Sequence, residues 1–340
     1  MPSVQRNVNL KPYNTFGIEV YCDYFTEIHS EAEVLDLIQL PEYKENQRLI
    51  LGGGSNVLFT GNFKGLVIKN NLKGIAVVSE SDNEVLLKAA AGEVWHELVL
   101  WSIDKGLSGL ENLSLIPGCV GASPMQNIGA YGVEIKEVFD SLEALDLTNG
   151  EKRVFRKEDC EFGYRESVFK HKYKNRYIIT SVTFHLKKRA QLNTTYGAIA
   201  SELQNMNITH PGVRDVSNAV IAIRSGKLPD PKITGNAGSF FKNPEVDEAT
   251  FQRIKAGHPN VVAYPLEGGT YKLAAGWLIE QCGLKGFEYH GAAVHTKQAL
   301  VLVNKNNCTG KDVYDLSSIV LEKVFDTFGV TLEREVNIIG

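Results

Sequence analysis

The spacing of apolar and polar residues predicts alternating strands and helices through the first 190 residues. Ser30-Glu-Ala-Glu33 matches the S-x-x-E capping box, and the apolar residues after it share one helical face until Pro41. A second helix is expected between Gly92 and Gly106. Asn149-Gly150 predicts a tight hairpin turn between two strands. The predicted strands are 47–51, 65–69, 75–79, 84–90, 142–147, 153–155 and 177–186.

The pattern changes in the second half of the chain, where helical spacing dominates. Val216, Ala219, Val220 and Ile223 follow the i, i+3, i+4, i+7 spacing of a helix that we expect to end before Gly226. The further helices are predicted at 247–256, 272–281 and 311–328, and the further strands at 299–304 and 330–339. This is a second α+β unit, with its boundary expected between residues 187 and 212.

Length, net charge and the distribution of apolar residues limit the number of domains and the kinds of partner that we expect. A chain of 340 residues favours two or three domains. The net charge of −4 argues against nucleic acid as the main partner. No apolar run approaches the roughly 20 residues that span a bilayer, and the first residues lack the apolar core of a signal peptide. We therefore expect a cytoplasmic protein without a membrane partner.

Cysteine and histidine patterns indicate neither a disulfide framework nor a metal site. The five cysteines are widely spaced, without a C-x-x-C pair. His96-Glu97 lacks the second histidine of H-E-x-x-H, and His290 and His295 fit no zinc spacing. A reactive Cys119 is less favoured than a packed thiol. We expect no metal.

The segment from Pro117 to Gly132, named here the central loop, carries four glycines and two prolines but also large apolar side chains. Glycine is selected where the backbone takes positive φ or is closely approached. We interpret it as a buried or half-buried loop pressed against a large flat ligand, with backbone amides and the side chains of Ser123, Gln126 and Asn127 as polar contacts. A complicated internal turn is the alternative.

A strand leads directly into Gly52-Gly-Gly-Ser-Asn56, which is typical of a phosphate-binding turn because successive amides form an anion nest. The segment is neither a Walker loop nor a G-x-G-x-x-G fingerprint, and a plain tight turn stays open. One polar and one apolar glycine-rich segment together favour a nucleotide cofactor with a flat ring.

Three further segments carry candidate chemistry. Arg165 could clamp a carboxylate with two hydrogen bonds, with a surface arginine as the alternative. Ser239 lies in a Gly/Asn-rich loop ahead of two aromatic residues that could dock it on a core, and the absence of G-x-S-x-G disfavours a hydrolase. Glu333 and Glu335 are predicted to share one face of the last strand, so that one carboxylate enters a site or both stay solvated.

At these residues the chain resembles the UDP-N-acetylenolpyruvoylglucosamine reductases, type I. The shared motifs run through nearly the whole chain: Asn14-Thr-Phe-Gly17, Leu51-Gly-Gly-Gly-Ser-Asn56, Ile116 to Gly132, Phe162-Gly-Tyr-Arg165, Gly235-Asn-Ala-Gly-Ser-Phe-Phe-Lys-Asn-Pro244 and Gly291-Ala-Ala-Val-His295.

The resemblance implies an α+β protein, in which a two-part FAD-binding region of the vanillyl-alcohol-oxidase-like (PCMH-type) fold is joined to a substrate-binding domain. The expected domains are 1–75 with the C-terminal strand 330–340, 76–205 and 206–329. FAD is expected to be non-covalent, since the central loop has no histidine. The implied FAD-binding residues are Gly52, Gly53, Gly54, Ser55, Asn56, Pro117, Gly118, Gly121, Ala122, Ser123, Gln126, Asn127, Gly129, Ala130 and Tyr131.

The implied reaction is NADPH-dependent reduction of UDP-N-acetylglucosamine enolpyruvate in peptidoglycan precursor synthesis. The protein is expected to be a monomer. Hydride transfer to the enol ether places negative charge on the neighbouring carboxylate. The family motifs put Arg165 and Glu335 at that carboxylate and make Ser239 the general acid, acidified through Lys227 and water. The implied substrate-binding residues are Tyr196, Lys227, Asn243, Tyr264, Lys272 and Gln298.

The chain departs from the family pattern near its end. The usual Leu-Glu-Pro-Glu-Val-Arg has Arg334 in place of proline and Asn337 in place of arginine. That puts the surroundings of Glu335 in doubt. The alternative functions are an FAD-linked oxidase of the same superfamily and a non-catalytic flavin- or nucleotide-binding module.

Overall fold

The computed structural model describes residues 2–340, which form two compact units. Unit 1 contains residues 2–8, Cys22–Gly54 and Lys64–Gly226. Unit 2 contains Asn9–Tyr21, Ser55–Phe63 and Lys227–Gly340. This grouping is coarser than the three expected domains, whose limits stay a prediction.

The structure is built from eight α-helices, twenty short strands and several single 3₁₀ turns within residues 2–340. The helices are α1 (Glu31–Leu37), α2 (Pro41–Lys44), α3 (Trp95–Asp104), α4 (Gly197–Asn205), α5 (Val213–Lys227), α6 (Glu248–Gly257), α7 (Ala275–Gln281) and α8 (Gly310–Phe328). The strands are β1 (Gln5–Asn9), β2 (Tyr21–Ile28), β3 (Arg48–Leu51), β4 (Val57–Phe59), β5 (Phe63–Asn70), β6 (Ile75–Glu80), β7 (Glu84–Ala90), β8 (Gly129–Ala130), β9 (Val133–Glu134), β10 (Phe139–Asp146), β11 (Lys152–Arg156), β12 (Tyr177–Lys187), β13 (Gly235–Ser239), β14 (Glu245–Asp247), β15 (Ala263–Pro265), β16 (Thr270–Leu273), β17 (Glu288–Tyr289), β18 (Ala292–Val294), β19 (Val301–Asn304) and β20 (Asn337–Ile339).

Unit 1 is organised around two sheets. The first has the order β1-β2-β5-β3, with β3 and β5 parallel, and the second is antiparallel in the order β11-β10-β12-β7-β6. Helix α3 buries Trp95 and Leu98 in the core of the second sheet, where the Trp95 ring meets Phe184 edge-on at 5.7 Å. Helices α4 and α5 share a separate apolar cluster. The predicted helix at 216–223 is confirmed, although it continues through Gly226 to Lys227.

Unit 2 contains a four-stranded sheet in the order β13-β19-β18-β17, with α8 packed along it. A smaller sheet has the order β14-β16-β15, and β20 pairs in parallel with β4. Helix α8 begins at a capping box in which Thr309 and Asp312 bond to each other's backbone N–H. It ends at Gly329, whose φ of 65° gives the left-handed cap that glycine adopts without strain.

Local sequence signals explain several elements. Ser30 Oγ accepts the Glu33 N–H at 3.2 Å and caps α1, while the Glu33 carboxylate accepts the His29 N–H. Asn149-Gly150 connects β10 to β11, with Asn149 Oδ1 accepting the Glu151 N–H. The predicted first helix and hairpin are confirmed, because both depend on contacts within a few residues.

The helix predicted at 272–281 is wrong in its first part. Lys272 lies on strand β16, opposite Glu245 of β14 and Tyr264 of β15, and α7 begins only at Ala275. Pairing with two strands that are distant in sequence fixes the extended backbone and overrides local helical spacing. Asn243 Oδ1 then accepts the Ala275 N–H at 3.0 Å and starts the helix.

The strand predicted at 330–339 is also shorter than expected. Only Asn337–Ile339 pairs as a regular strand, while Arg334 forms an isolated bridge with Phe241. Glu333 is 69% exposed and forms an ion pair with Lys242, whereas Glu335 is half-buried. The expected strand through both glutamates was therefore wrong in extent, because this segment pairs only locally around Arg334, and the two carboxylates differ in exposure.

Helix α8 is the longest helix in residues 2–340, and neither it nor any other helix in that range is apolar enough to cross a membrane.

Candidate functional site

The central loop packs against the junction of β7 and α3. Gly121 donates its N–H to the Ala91 carbonyl at 2.9 Å, and a Cβ on Gly121 would lie 2.5 Å from the Ala91 Cβ. Trp95 N–H bonds to the Gly118 carbonyl at 3.0 Å. Most of the loop is buried or half-buried, as predicted, and glycine at 121 is required by this close approach.

The triple-glycine turn lies against the central loop. A Cβ on Gly53 would stand 2.8 Å from the Gly118 Cα, so the two backbones touch at a point where neither residue has a side chain. Gly54 has φ of 62°, in the left-handed region that an anion nest requires at one of its two positions so that successive backbone N–H groups converge. The two glycine-rich segments, separated by more than sixty residues in the chain, thus form one backbone surface in unit 1.

A cavity of about 120 Å³ lies beside this surface. Gly52, Gly121 and Ala122 contribute to its lining from the glycine segments, and Phe169, Tyr173 and Tyr177 contribute aromatic rings. A narrow, largely apolar slot next to exposed amides fits part of a dinucleotide with a flat ring system. The fit supports FAD in this region, and the aromatic residues of the slot were not identified from the sequence.

Lys69 is a second residue that sequence reasoning missed. Its ammonium donates to the Gly52 carbonyl at 2.7 Å, which places a cation at the triple-glycine turn. Its position follows from the parallel register of β3 and β5, in which Lys69 is the partner of Leu51. A cation beside an amide nest favours a diphosphate there. No local sequence motif identifies Lys69, because its position depends on the pairing of β3 with β5 and not on its neighbours in sequence.

Two of the polar side chains expected to contact the cofactor also form hydrogen bonds within the protein. Ser123 is 2% exposed and donates to the Val120 carbonyl at 2.6 Å. Asn127 is fully buried, donates to Glu134 Oε2 and the Gly163 carbonyl, and accepts the Lys136 N–H. Ser123 and Asn127 therefore help to shape the loop, and their contact with the cofactor stays a prediction. Burial also raises the pKa of the Cys119 thiol, which favours an unreactive thiol.

The Arg165 guanidinium lies against the last third of the central loop. Its Nη2 donates to the Gly129 carbonyl at 2.7 Å, and its Nη1 lies 3.5 Å from the Asn127 carbonyl. Its backbone φ is 57°, an uncommon conformation for a residue other than glycine. The guanidinium is thus fixed by loop carbonyls, and a carboxylate clamp at Arg165 stays a prediction.

Ser239 and Glu335 lie on neighbouring segments of unit 2. Ser239 ends β13 opposite Val301, and the next residue, Phe240, accepts the Glu335 N–H on its carbonyl at 2.8 Å. Phe240 and Phe241 are almost fully buried, so the two aromatic residues dock this loop on the core, as predicted. Both Ser239 and Glu335 are half-buried, which leaves part of each side chain accessible to a ligand.

The two departures from the family pattern are accommodated locally. Arg334 donates to the hydroxyls of Ser317 and Ser318 on α8, at 2.8 Å each. Asn337 donates from its backbone and its side chain to the Asn56 carbonyl, at 3.1 and 2.9 Å. The residues on both sides of Glu335 are therefore held in place, and Glu335 keeps its register with Phe240.

The predicted site residues divide between the two units. Unit 1 holds Arg165, Tyr196 and the expected cofactor residues other than Ser55 and Asn56. Unit 2 holds Ser239, Glu335, those two cofactor residues and the other expected substrate residues, which are Lys227, Asn243, Tyr264, Lys272 and Gln298. Within unit 2, Tyr264 and Lys272 are direct cross-strand neighbours, and Gln298 Oε1 would lie 3.1 Å from a Cβ on Gly276 of α7. In residues 2–340 no group of three or more histidine, cysteine or acidic side chains is placed to hold a metal ion.

The backbone surface, the aromatic slot and the α+β architecture define an FAD-dependent oxidoreductase. A model described as an FAD binding domain matches residues 22–156, and one described as the C-terminal domain of UDP-N-acetylenolpyruvoylglucosamine reductase matches residues 230–339. The chain belongs to the UDP-N-acetylenolpyruvoylglucosamine reductase family, and the predicted family and fold class are confirmed.

Similar proteins cover the whole chain. The reductase of Flavobacterium johnsoniae is 49% identical over 337 residues, covering 99% of both chains. The reductase of Neisseria gonorrhoeae is 48% identical, covering 99% of this chain and 98% of its own. A crystal structure of the reductase from Thermus caldophilus aligns over the full length of both chains with a TM-score of 0.69 at 23% identity, which supports the fold.

Proposed function

We propose that the protein reduces UDP-N-acetylglucosamine enolpyruvate to UDP-N-acetylmuramate with electrons from NADPH, in the synthesis of peptidoglycan precursors. The observation that carries the proposal is the joining of the two glycine-rich segments beside an aromatic slot, with Arg165 fixed on the same loop. The family to which the chain belongs supplies the substrate class. When bound, FAD supplies the hydride transfer chemistry.

The residues of the chain then have defined tasks. The backbone amides of the triple-glycine turn and Lys69 hold the diphosphate of the cofactor, and the central loop holds its flat ring system. Arg165 and a protonated Glu335 stabilise the negative charge that develops on the substrate carboxylate. Ser239 gives a proton to the carbon next to that carboxylate. Tyr196, Lys227, Asn243, Tyr264, Lys272 and Gln298 hold the sugar nucleotide.

The test is a separation of the two half-reactions by Ser239→Ala. Reduction of the enzyme by NADPH needs no proton at carbon, so its rate should stay close to that of the unchanged protein. Reoxidation by the enol ether should slow by roughly 10²- to 10⁴-fold, the usual contribution of a positioned acid. Stopped-flow absorbance measures both steps.

Ser79→Ala, which removes an exposed hydroxyl from strand β6, is the matched control and should leave both rates unchanged. Equal slowing of both steps in Ser239→Ala, or no slowing of the second, would exclude Ser239 as the proton donor. Rapid turnover with dioxygen but none with the sugar nucleotide would instead favour an oxidase.

We also propose a cellular location, an oligomeric state and domain limits for the protein. We expect a cytoplasmic monomer that binds neither nucleic acid nor membrane, consistent with its net charge of −4. We also propose the three-part division at 1–75 with 330–340, 76–205 and 206–329. Sedimentation of the FAD-loaded protein at several concentrations tests the monomer, and a mass that rises with concentration would contradict it.

A further inference from the structure

Helix α5 contacts the chain immediately before the central loop through two side chains. Ser217 Oγ lies 2.8 Å from Ser114 Oγ, and both hydroxyls are almost fully buried. Seven residues further along the helix, Arg224 Nε donates to the Leu115 carbonyl at 3.2 Å. Residues at i and i+7 lie on the same helix face, so one face of α5 holds two consecutive residues at the start of the loop.

The same helix also reaches the far end of the central loop. The Tyr131 ring packs against the apolar cluster formed by α4 and α5, and it meets the Tyr196 ring edge-on at 5.3 Å. The Arg224 guanidinium lies close enough to the Tyr131 hydroxyl for each group to influence the pKa of the other. Burial lowers the pKa of Arg224, and the Tyr131 hydroxyl opposes that shift. Arg224 thus bonds to Leu115, just before the central loop, and lies beside Tyr131, near the end of the loop.

Both residues that Arg224 contacts have a backbone conformation that needs support. Leu115 has φ of 58° and Tyr131 has φ of 51°, in the left-handed region that side chains rarely adopt. Such residues persist only where the surroundings hold them. Leu115 donates its N–H to His96 Nδ1 at 3.0 Å, and the Tyr131 carbonyl accepts from Asn112 Nδ2 at 3.2 Å. With Arg224, these contacts fix the backbone at each end.

Arg165 and Arg224 therefore hold different parts of one loop. Arg165 bonds to the Asn127 and Gly129 carbonyls within the loop, whereas Arg224 bonds to Leu115 just before the loop and lies close to Tyr131 near its far end. The loop shape between them is the shape that the flat ring of the cofactor would meet. A loop fixed at three points before binding loses little conformational entropy when a ligand binds.

We propose that Arg224 is a positioning residue, which presets the flavin-binding loop by joining its two ends to helix α5. The inference rests on the proposed function, because it assumes that the central loop binds the flavin ring. Without the guanidinium, the backbone at Leu115 and Tyr131 relaxes and the loop samples conformations that do not bind the ring.

The experiment compares Arg224→Gln, Arg224→Lys and the unchanged protein. Apoprotein is titrated with FAD, and flavin fluorescence gives the dissociation constant. Loss of hydrogen bonds to a charged group predicts that Arg224→Gln binds FAD roughly 10- to 100-fold more weakly. Its remaining bound flavin should show an altered visible absorption spectrum. Lysine keeps the positive charge but lacks the planar guanidinium that reaches Leu115 and Tyr131 together. Arg224→Lys should therefore recover only part of the affinity.

Arg214→Gln is the matched control, since Arg214 lies on the same helix but pairs with Asp104 at the surface. It should bind FAD normally. Ser217→Ala provides an independent variant if Arg224→Gln does not fold, and it should weaken FAD binding in the same direction.

Normal FAD affinity and an unchanged spectrum in Arg224→Gln would overturn the inference, as would normal affinity in Ser217→Ala where Arg224→Gln fails to fold. Complete recovery by Arg224→Lys would also overturn it, because charge alone would then suffice. Failure of the unchanged protein to bind FAD would count instead against the proposed function.

Discussion

At the residue scale, the site depends on glycines at which an added Cβ would prevent two backbone segments from packing together. Gly52 and Gly53 are adjacent in sequence, yet their surroundings differ. A Cβ on Gly52 would meet the Cys119 Cβ at 3.6 Å, an ordinary contact. A Cβ on Gly53 would stand 2.8 Å from the Gly118 Cα, where backbone must move. The two positions form a natural matched pair.

We predict that Gly53→Ala is destabilised by about 1–3 kcal/mol, the typical cost of inserting a group into a packed region. Because the displaced atoms belong to the central loop, FAD affinity should fall as well. Gly52→Ala should cost much less stability, and because Gly52 lines the proposed cofactor cavity, the two positions are compared by stability alone. Denaturant unfolding of the two apoproteins measures it, and equal destabilisation at the two positions would contradict the prediction. FAD titration of Gly53→Ala measures the loss of affinity.

His96 gives the second residue-scale prediction. Its Nδ1 accepts the Leu115 N–H, so the imidazole must be neutral at that nitrogen. Burial lowers its pKa from 6.5, the charge of Arg224 on α5 lowers it further, and Glu97 on α3 acts in the opposite direction. A base with a lowered folded pKa is protonated more readily when unfolded. Its unfavourable contribution is therefore absent above pH 6.5 and grows as pH falls below that value.

The free energy of unfolding should accordingly decrease as pH falls from 7 toward the folded pKa, and His96→Gln should remove that part of the slope. His210→Gln, at an exposed position, is the control and should leave the slope unchanged. Urea unfolding at a series of pH values provides the measurement. An identical pH slope in His96→Gln and the unchanged protein would show that His96 is not the group responsible.

At the element scale, helix ends illustrate how short-range chemistry sets boundaries. Helix α8 begins at Thr309, whose hydroxyl accepts the Asp312 N–H, and Asp312 bonds back to the Thr309 N–H. The next residue, Gly310, is buried against the Phe59 carbonyl, where a Cβ would lie 1.7 Å away. The cap therefore sets both where the helix starts and how it approaches β4.

We predict that Thr309→Ala lowers the free energy of unfolding by about 1 kcal/mol, the usual cost of losing an N-cap. Lys311→Ala, which removes an exposed ion pair with Asp315 in the same turn, should lower the free energy of unfolding much less, because solvent screens the pair. Denaturant unfolding of the two variants decides this, and a larger effect at Lys311 would mean that surface charge outweighs the cap.

At the scale of the whole molecule, folding and cofactor binding are coupled by mass action. The proposed cofactor residues of unit 1 come from segments that only folding brings together, as Gly53 and Gly118 show, so FAD should bind the folded chain and not the unfolded one. We predict stabilisation by about 2.7 kcal/mol at a free FAD concentration one hundred times the dissociation constant. Thermal unfolding over a range of FAD concentrations tests this, and a midpoint independent of FAD would contradict it.

Some features of this protein were determined by the sequence alone. The caps of α1 and α8, the Asn149-Gly150 hairpin and the core face of α5 follow from contacts within a few residues, which a local pattern records. The glycines of the two loop segments also predicted a close backbone approach, and the linked motifs were sufficient to indicate the family.

Tertiary structure decided the features that depend on distant segments. Parallel pairing of β3 with β5 brings Lys69 to the triple-glycine turn, and pairing with β14 and β15 makes Lys272 part of a strand. The contacts that fix Glu335 beside Phe240, and those that join Arg224 to Leu115 and Tyr131, likewise cross about ninety or more residues of sequence. Such contacts leave no local periodicity, because they arise from the packing of separate elements and not from the conformational preference of any one of them.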